Sequence, residues 1–176
     1  MLLFNDRTKN MISNIVFDKI YYEERQVVMD LINGSYYVET GSTGVAFKNA
    51  NRYPTLAMVD ENISKLRTVK IEDELVGVVG VDESDDGSCG EIGPLAVSSK
   101  QQKRGIGGQI LSMLERQYPV TIVGVVSCRT DILPWYKKRG YVQFDEVPLL
   151  EAGVVKEREL TRSGLTYIKL KRINTD

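Results

Sequence analysis

The 176-residue sequence contains no histidine and only two cysteines. Without histidine the chain cannot build a Ser-His-Asp triad, a Cys-His nucleophile pair or the usual histidine-bearing zinc and iron sites. Cys89 and Cys128 are too few for a four-cysteine metal site or for the disulfide framework of a small secreted domain. They read as reduced packing residues carried on strands, and no metal is expected. No apolar run approaches the ~20 residues needed to span a bilayer, and the longest, residues 120–126, reads as a buried strand. Residues 1–4 are apolar before Asn5, Asp6 and Arg7 interrupt them, which argues against a secretory signal and for a cytoplasmic location. An excess of one charge is missing too. With 23 basic and 24 acidic side chains the net charge is −1, leaving no electrostatic footprint for nucleic acid or for an anionic membrane. Catalysis would have to rest on carboxylates, tyrosine, lysine, backbone amides or a bound cofactor.

What is present is the composition of a soluble globular protein, 42% hydrophobic and 27% charged, at a length that suits one domain. Residues 1–13 read as a flexible tail and residues 14–176 as a single domain. Residues 14–20 alternate imperfectly and predict a short strand. Val27, Val28, Leu31 and Ile32 fall at helical spacing, predicting an amphipathic helix over 22–36 that ends near Asn33-Gly34. The Gly-, Ser-, Thr- and Asn-rich stretch 34–54 reads as a long loop with at most one turn of helix, and 55–65 as a second helix. From Leu66 the period changes. Residues 66–71 and 75–81 predict a hairpin across Glu72-Asp73-Glu74, followed by an acidic loop over 82–88 and a strand over 89–97. That strand contains Gly93-Pro94, and because proline cannot donate to a ladder the strand must be bulged or splayed there.

Residues 105–118 predict the clearest helix, with Ile106, Ile110, Met113 and Leu114 on its apolar face and Gln109, Ser112, Glu115 and Arg116 on the other. Pro119 stops it, and residues 120–126 complete a right-handed strand–helix–strand crossover of parallel strands. A short helix over 132–139 capped by Gly140, a strand over 141–146 and a last strand over 167–171 finish the chain.

The stretch Gln102-Lys103-Arg104-Gly105-Ile106-Gly107-Gly108 lies between a strand and the start of that helix. Glycines there let the backbone turn tightly and bring its N–H groups close to a ligand, and unpaired amides at a helix start attract anions. A phosphate-bearing ligand is the natural occupant. A Walker loop would need Gly-Lys-Ser/Thr, which is absent, and a dinucleotide fingerprint would need glycine where Ile110 stands. A glycine-capped turn that merely feeds a helix is the other reading of these residues.

Together with Glu91-Ile92-Gly93-Pro94-Leu95-Ala96-Val97 upstream, this Gln-x-x-Gly-x-Gly-Gly pattern resembles the acetyl-coenzyme A motif of the GNAT superfamily of N-acetyltransferases. Residues 133–141, Leu-Pro-Trp-Tyr-Lys-Lys-Arg-Gly-Tyr, resemble that family's later Tyr-x-x-x-Gly-aromatic motif, and the order of elements from about 14 to 171 agrees. The resemblance implies an α/β fold: a mixed sheet of about seven strands with a splayed central parallel pair, flanked by about four helices. It implies acetyl-CoA as co-substrate, the pantetheine arm lying along the backbone of Leu95, Ala96 and Val97. The pyrophosphate would rest on the amides of Lys103, Arg104, Gly105, Ile106, Gly107 and Gly108, within the motif that Gln102 opens. Lys103 and Arg104 add charge near the adenosine end or remain solvated loop charges.

The same resemblance gives Glu91 the place of a carboxylate base, acting directly or through water, against the readings of a substrate-binding carboxylate or a solvent-facing strand residue. Glu83, Asp85 and Asp86 are reserve groups for attracting a cation. A backbone N–H near Val97 would meet the oxyanion, and Tyr136 would supply a proton or a hydrogen bond to the departing thiolate, unless it only packs. With tyrosine near pKa ~10 and a thiol near ~8.5, full transfer is uphill by ~2 kcal/mol unless the site lowers the tyrosine. One departure stands out: Arg129 occupies the place where many members carry an asparagine that contacts the cofactor arm, so a phosphate contact replaces a specific amide contact. The lead-in Asp131-Ile132-Leu133-Pro134 also departs from the common form. An N-acetyltransferase acting on a primary amine is thus expected, with a non-catalytic acyl-CoA binding or sensing module as the competing class; the pair Glu91 and Tyr136 favours the enzyme. Small metabolites, peptide termini and lysine side chains all remain open as acceptors, with a tilt toward a small amine, and a homodimer is left open.

Overall fold

The fold is described from a computed structural model, for residues 14–39, 46–47, 52–152, 160–161 and 163–174. Seven strands form one sheet: β1 (Ile15–Asp18), β2 (Leu66–Ile71), β3 (Glu74–Glu83), β4 (Cys89–Val97), β5 (Val120–Val126), β6 (Val142–Pro148) and β7 (Thr166–Ile173). Their order is β1-β2-β3-β4-β5-β7-β6, and every neighbouring pair is antiparallel except β4 and β5. Four helices accompany them: α1 (Arg25–Tyr36), α2 (Leu56–Asn62), α3 (Ile106–Gln117) and α4 (Leu133–Lys138). The parallel crossover expected from the sequence is therefore present, as is the mixed α/β architecture. The tail expected over 1–13 lies outside the described residues, as do parts of the 34–54 and 148–164 connections.

Helices cover both faces, so the central strands are buried on both sides. On one face Val28 and Ile32 of α1 and Val59 of α2 pack over Leu66, Val78 and Ala96. On the other, Ile106, Ile110, Leu111 and Leu114 of α3 and Tyr136 of α4 pack over Val79, Ile92, Val123 and Leu170. Each such side chain taken fully from water contributes about 1.5–3 kcal/mol, which offsets the entropy of fixing the helices against the sheet.

Three local differences from the sequence reading have physical causes. The helix α1 runs through Asn33-Gly34 to Tyr36 because the Asn33 side chain is held by tertiary bonds: its Nδ2 donates to the Tyr53 carbonyl at 2.9 Å, and its Oδ1 accepts from the Tyr53 N–H at 2.8 Å. Tertiary packing overrides a weak stop signal. The β2–β3 turn is tighter than expected, with Glu72 and Asp73 both left-handed (φ 50° and 66°), so Glu74 joins the strand. On α3 the buried stripe includes Leu111 rather than Met113, and Glu115, expected in solvent, is 7% exposed. Glu115 accepts from Arg139 Nη2 at 2.9 Å and pairs with Arg172 Nη1, which satisfies the carboxylate inside. Cys89 lies on β4 as expected, but Cys128 follows β5 in a turn; neither forms a disulfide. Among the described residues no helix is long and apolar enough to cross a membrane.

The swap on α3 is testable. Leu111→Ala should lower the unfolding free energy by about 2–5 kcal/mol, the cost of a large-to-small change in a closed core. Met113→Ala should lower it by clearly less. Urea denaturation of the two variants checks the order, and equal losses would return Met113 to the core stripe.

Candidate functional site

The site is built on a fork between β4 and β5. Their parallel pairing runs from Cys89↔Val120 to Ile92↔Val123 and stops there, although both strands continue. Two features mark the prongs. On β4, Gly93-Pro94 (a cis peptide bond) falls where the ladder to β3 slips: Val79 pairs with Leu95 and Val81 with Ile92, so β4 carries an extra residue. That bulge lies directly over Gly80, where a Cβ would meet the Gly93 carbonyl group and come within 2.9 Å of Pro94 Cδ. On β5, the Tyr167 hydroxyl from β7 occupies the space where a Cβ of Gly124 would stand. The expected splaying at Gly93-Pro94 is thus seen, and the contact of Tyr167 with Gly124 beside it is one that the sequence reading did not name. A glycine inside an otherwise apolar strand was the available signal.

The open edge of β4 has a definite polarity. Ser98 N–H donates to the Val76 carbonyl at 2.9 Å, so in this register Ser98 and Ala96 turn their peptide groups to β3, while Leu95 and Val97 turn theirs into the fork. There Leu95 N–H donates to Tyr36 Oη at 3.2 Å. The Val97 carbonyl accepts from Ser35 Oγ at 3.0 Å and Gln102 Nε2 at 2.9 Å. Side chains thus stand in for a neighbouring strand. Ala96 is different: its side chain is fully buried against α1 and α2 and its peptide groups are directed at β3, so of the three residues expected to line the gap only Leu95 and Val97 do.

Beside the fork the chain turns into α3 through Gly105, left-handed at φ 85°, with Lys103 also left-handed at φ 61°. The first bond back into this turn is Gln109 N–H to the Gly105 carbonyl, so the N–H groups of Ile106, Gly107 and Gly108 have no intrahelical acceptor. A Cβ on Gly107 would touch only Val97 Cγ2, at 3.8 Å, and the residue lies in the wall of the main cavity. Gly108 serves packing, since a Cβ there would stand 3.4 Å from Arg139 Nη1. Lys103 and Arg104 are exposed, and Arg104 bonds to Gln101. These groups could hold a diphosphate by backbone donors with two cations nearby.

A cavity of about 810 Å³ joins this turn to the fork, lined among others by Tyr36, Leu95, Val97, Gly107, Arg129 and Tyr136. Tyr136, 6% exposed, is wedged edge-on between Trp135 and Tyr141, at ring-centre distances of 4.9 and 5.5 Å. Burial, reinforced by the neighbouring Tyr36 and Tyr141 hydroxyls, raises its hydroxyl well above the ordinary tyrosine pKa. The site does not lower Tyr136; it locks the proton on. Arg129 also lines the cavity, but its charge is engaged. It pairs with Glu39 at 2.7 Å and makes a two-point contact with Asp131 at 2.8 and 3.0 Å. Burial works against its charge, but these two carboxylates outweigh it and keep the guanidinium ionised, while Asp131 is held below the usual carboxylate range chiefly by Arg129. With two carboxylates on one guanidinium, Arg129 acts as a brace across the cavity wall.

Glu91 does not line that cavity. It faces a smaller one of about 170 Å³ on the Gly93 side of the fork, is 43% exposed, and stands 3.9 Å from Lys169 Nζ. Tyr167 belongs to the wall of this smaller cavity while its hydroxyl abuts Gly124 of the larger. Of the reserve acids, Glu83 accepts from Tyr118 Oη at 3.0 Å and Asp86 ties its own hairpin, accepting from Ser84 Oγ and Ser88 Oγ at 2.7 Å each. Residues that the sequence reading did not name as site residues, Tyr36 at the end of α1, Glu39 just past it, Arg52 and Tyr167 on β7, come from segments with no motif of their own.

Residues 28–141 match the family described as Acetyltransferase (GNAT) family. The chain belongs to that family. No curated protein matches the sequence. Among solved structures, Ard1 from Thermoplasma volcanium superposes with a TM-score of 0.66 at 12% identity, covering 92% of this chain and 99% of that one. N-acetylglutamate synthase from Neisseria gonorrhoeae, complexed with coenzyme A and N-acetyl-glutamate, gives 0.63 at 16% identity over 93% of this chain and 36% of that one. A GNAT family acetyltransferase from Elizabethkingia anophelis with acetyl-CoA bound gives 0.54 at 22% identity, over 69% and 84%. At these identities the likeness is one of fold.

The structural role of Asp86 has a direct readout. Its hydrogen bonds from Ser88 and then Ser84 hold its pKa at about 2, below the ordinary value of 3.8. Because the folded value is depressed, what the group adds to the hairpin is complete above the ordinary value and is lost as pH falls toward 2. Carboxyl NMR titration should find a midpoint near 2 that moves up in Ser88→Ala; a midpoint at the ordinary value in the parent protein would free Asp86 from the hairpin.

Proposed function

We propose that the chain is an N-acetyltransferase that moves the acetyl group of acetyl-CoA to a primary amine by direct attack. The observation that carries the reading is the fork itself: one 810 Å³ cavity is lined by Leu95 and Val97 of the unladdered edge, by Gly107 at the start of α3 and by Tyr136. A thioester ligand with a diphosphate head and an amide-bearing arm matches those donors, and the absent side chain of Gly107 leaves it room. In this assignment the Ile106–Gly108 amides hold the diphosphate, and the Val97 carbonyl exchanges its present partners, Ser35 and Gln102, for the arm. Acetyl-CoA supplies an activated acyl carbon.

The remaining steps belong to the protein. The acceptor is an ammonium at neutral pH and must lose a proton before its nitrogen can attack; Glu91, in the adjacent cavity, takes it directly or through water. The N–H of Leu95, directed into the fork, is the donor placed to meet negative charge on the carbonyl oxygen once Tyr36 has moved aside. The C–N bond forms, the C–S bond breaks, and the thiolate is reprotonated. Since a thiol is already the stronger acid by ~2 kcal/mol, and the site pushes Tyr136 further up, Tyr136 gives the sulfur a hydrogen bond while solvent supplies the proton. The balance is one amide, one thiol and one released proton per ammonium consumed. The described body of the chain, one sheet with helices on both faces, is the single domain that does this.

A thiol-release assay with acetyl-CoA over a panel of amines, beside a thermal-shift measurement with coenzyme A, tests the reading. A clear shift with no turnover on any amine would favour an acyl-CoA binding module instead. Tyr136→Phe should lower kcat by about 10²-fold with little change in acetyl-CoA affinity. Glu91→Gln should depress kcat/KM most at low pH, where free amine is scarce; an equal effect at every pH would leave Glu91 as a substrate contact only.

A further inference from the structure

The smaller cavity carries charges of both signs within a narrow space. Lys65 and Asp82, two of its wall residues, neutralise each other at 2.6 Å. That leaves Arg52 and Glu91. Glu91 has only the long contact to Lys169, at 3.9 Å. Among the described residues no ion pair includes Arg52. Its guanidinium lies 4.3 Å from the centre of the Tyr36 ring, and Tyr36 is the residue whose hydroxyl caps Leu95 N–H in the fork. Arg52 is therefore stationed at the reacting end. Tyr167 lines the same cavity as both charges. Burial raises its hydroxyl pKa, Arg52 works the other way, and Glu91, Tyr36 and Glu39 add to the rise.

We propose that the acceptor is a small free amino acid, its carboxylate held by Arg52 and its ammonium directed to Glu91. The assignment rests on the acetyl-transfer reading above and narrows its substrate. Size agrees: a cavity of about 170 Å³ suits the head of a compact amino acid. Charge discriminates as well. A polyamine would set a second ammonium against Arg52, while the amine of a peptide terminus or a lysine side chain on a protein brings no carboxylate to pair with it. A guanidinium already stacked on an aromatic face keeps its planar fork free for two-point binding of a carboxylate. In the reaction the amino nitrogen forms the new C–N bond, the thioester C–S bond breaks, and the products are an N-acetylamino acid, coenzyme A thiol and one proton.

The test compares free L-amino acids with their primary amides, and with 1,4-diaminobutane, in the thiol-release assay. For the preferred side chain, kcat/KM of the acid should exceed that of the amide by about 10- to 100-fold, the value of a charge-assisted contact. Arg52→Gln should bring that ratio close to one and Arg52→Lys should restore part of it. A ratio is insensitive to the fraction of correctly folded variant. Amides or the diamine turned over as well as the acids, or a ratio unchanged in Arg52→Gln, would overturn the proposal and leave acetyl transfer standing. If acetyl-CoA binds and no amine reacts, acetyl transfer itself fails. Calorimetry of amino acids with coenzyme A present then decides the Arg52 contact: weaker binding in Arg52→Gln supports it, and equal binding refutes it.

Discussion

Two strands that begin as hydrogen-bonded neighbours and then part are the constraint on which the rest of this molecule depends. Parallel pairing between β4 and β5 ends at Ile92 and Val123. Beyond that point the backbone of β4 still has donors and acceptors on its inner edge, and unpaired peptide groups away from water are costly. The protein meets that cost with side chains: Tyr36 on Leu95 N–H, Ser35 and Gln102 on the Val97 carbonyl. Such partners are replaceable in a way that a third strand would not be. A ligand that presents amides in an extended arm can take over the same bonds at little net change in hydrogen-bond number. The opening coincides with the β4 bulge seated on Gly80.

Charge is distributed around the fork with a similar division of labour. Glu115 draws Arg139 and Arg172 together behind α3, and Arg139 also bonds Ser112 and lies over Trp135, so α3, α4 and β7 are fixed relative to one another. Arg129 joins Glu39, just past α1, to Asp131, just before α4. These clusters pair charges that would be expensive to bury alone, and they pin the helices that form the two sides of the cavity. The cations left outside such pairs among the described residues include Lys103 beside the α3 turn and Arg52 beside the small cavity. They are the cations to which the proposed reading assigns the ligands' anionic groups.

Much of this architecture was legible in the residues. The nearly all-apolar run 120–126 and the helix after Gly105 gave the crossover, and the proline in β4 announced a break in the ladder because a ring nitrogen cannot donate. Gly105 marked the turn into α3 by the freedom that only glycine has. The sequence could not show which of Leu95, Ala96 and Val97 faces the gap, because that follows from the register against β3, a property of two strands and the bulge between them. Nor could it show that Arg129 is held by two carboxylates, since Glu39 lies 90 residues away in the chain. Tyr36, Arg52 and Tyr167 were invisible for the same reason. Each comes from a different segment, and only the closed fold brings them together.

The packing around Tyr136 has a consequence for how the two halves of the site divide the chemistry. A hydroxyl boxed in by Trp135 and Tyr141, with Tyr36 near it, is held protonated more firmly than tyrosine in water. Such a group is a poor proton source and a dependable hydrogen-bond donor, because its proton stays in place across the physiological pH range. Glu91 is placed in the opposite way: on the smaller cavity, partly open to solvent, where a proton can be accepted and passed on. On the proposed reading, proton traffic belongs to the Glu91 side of the fork and fixed hydrogen bonding to the cavity that runs to the α3 turn. Tyr167 borders both, lining the smaller cavity while its hydroxyl sits over Gly124 in the wall of the larger. One side chain thus adjoins the two halves of the proposed chemistry.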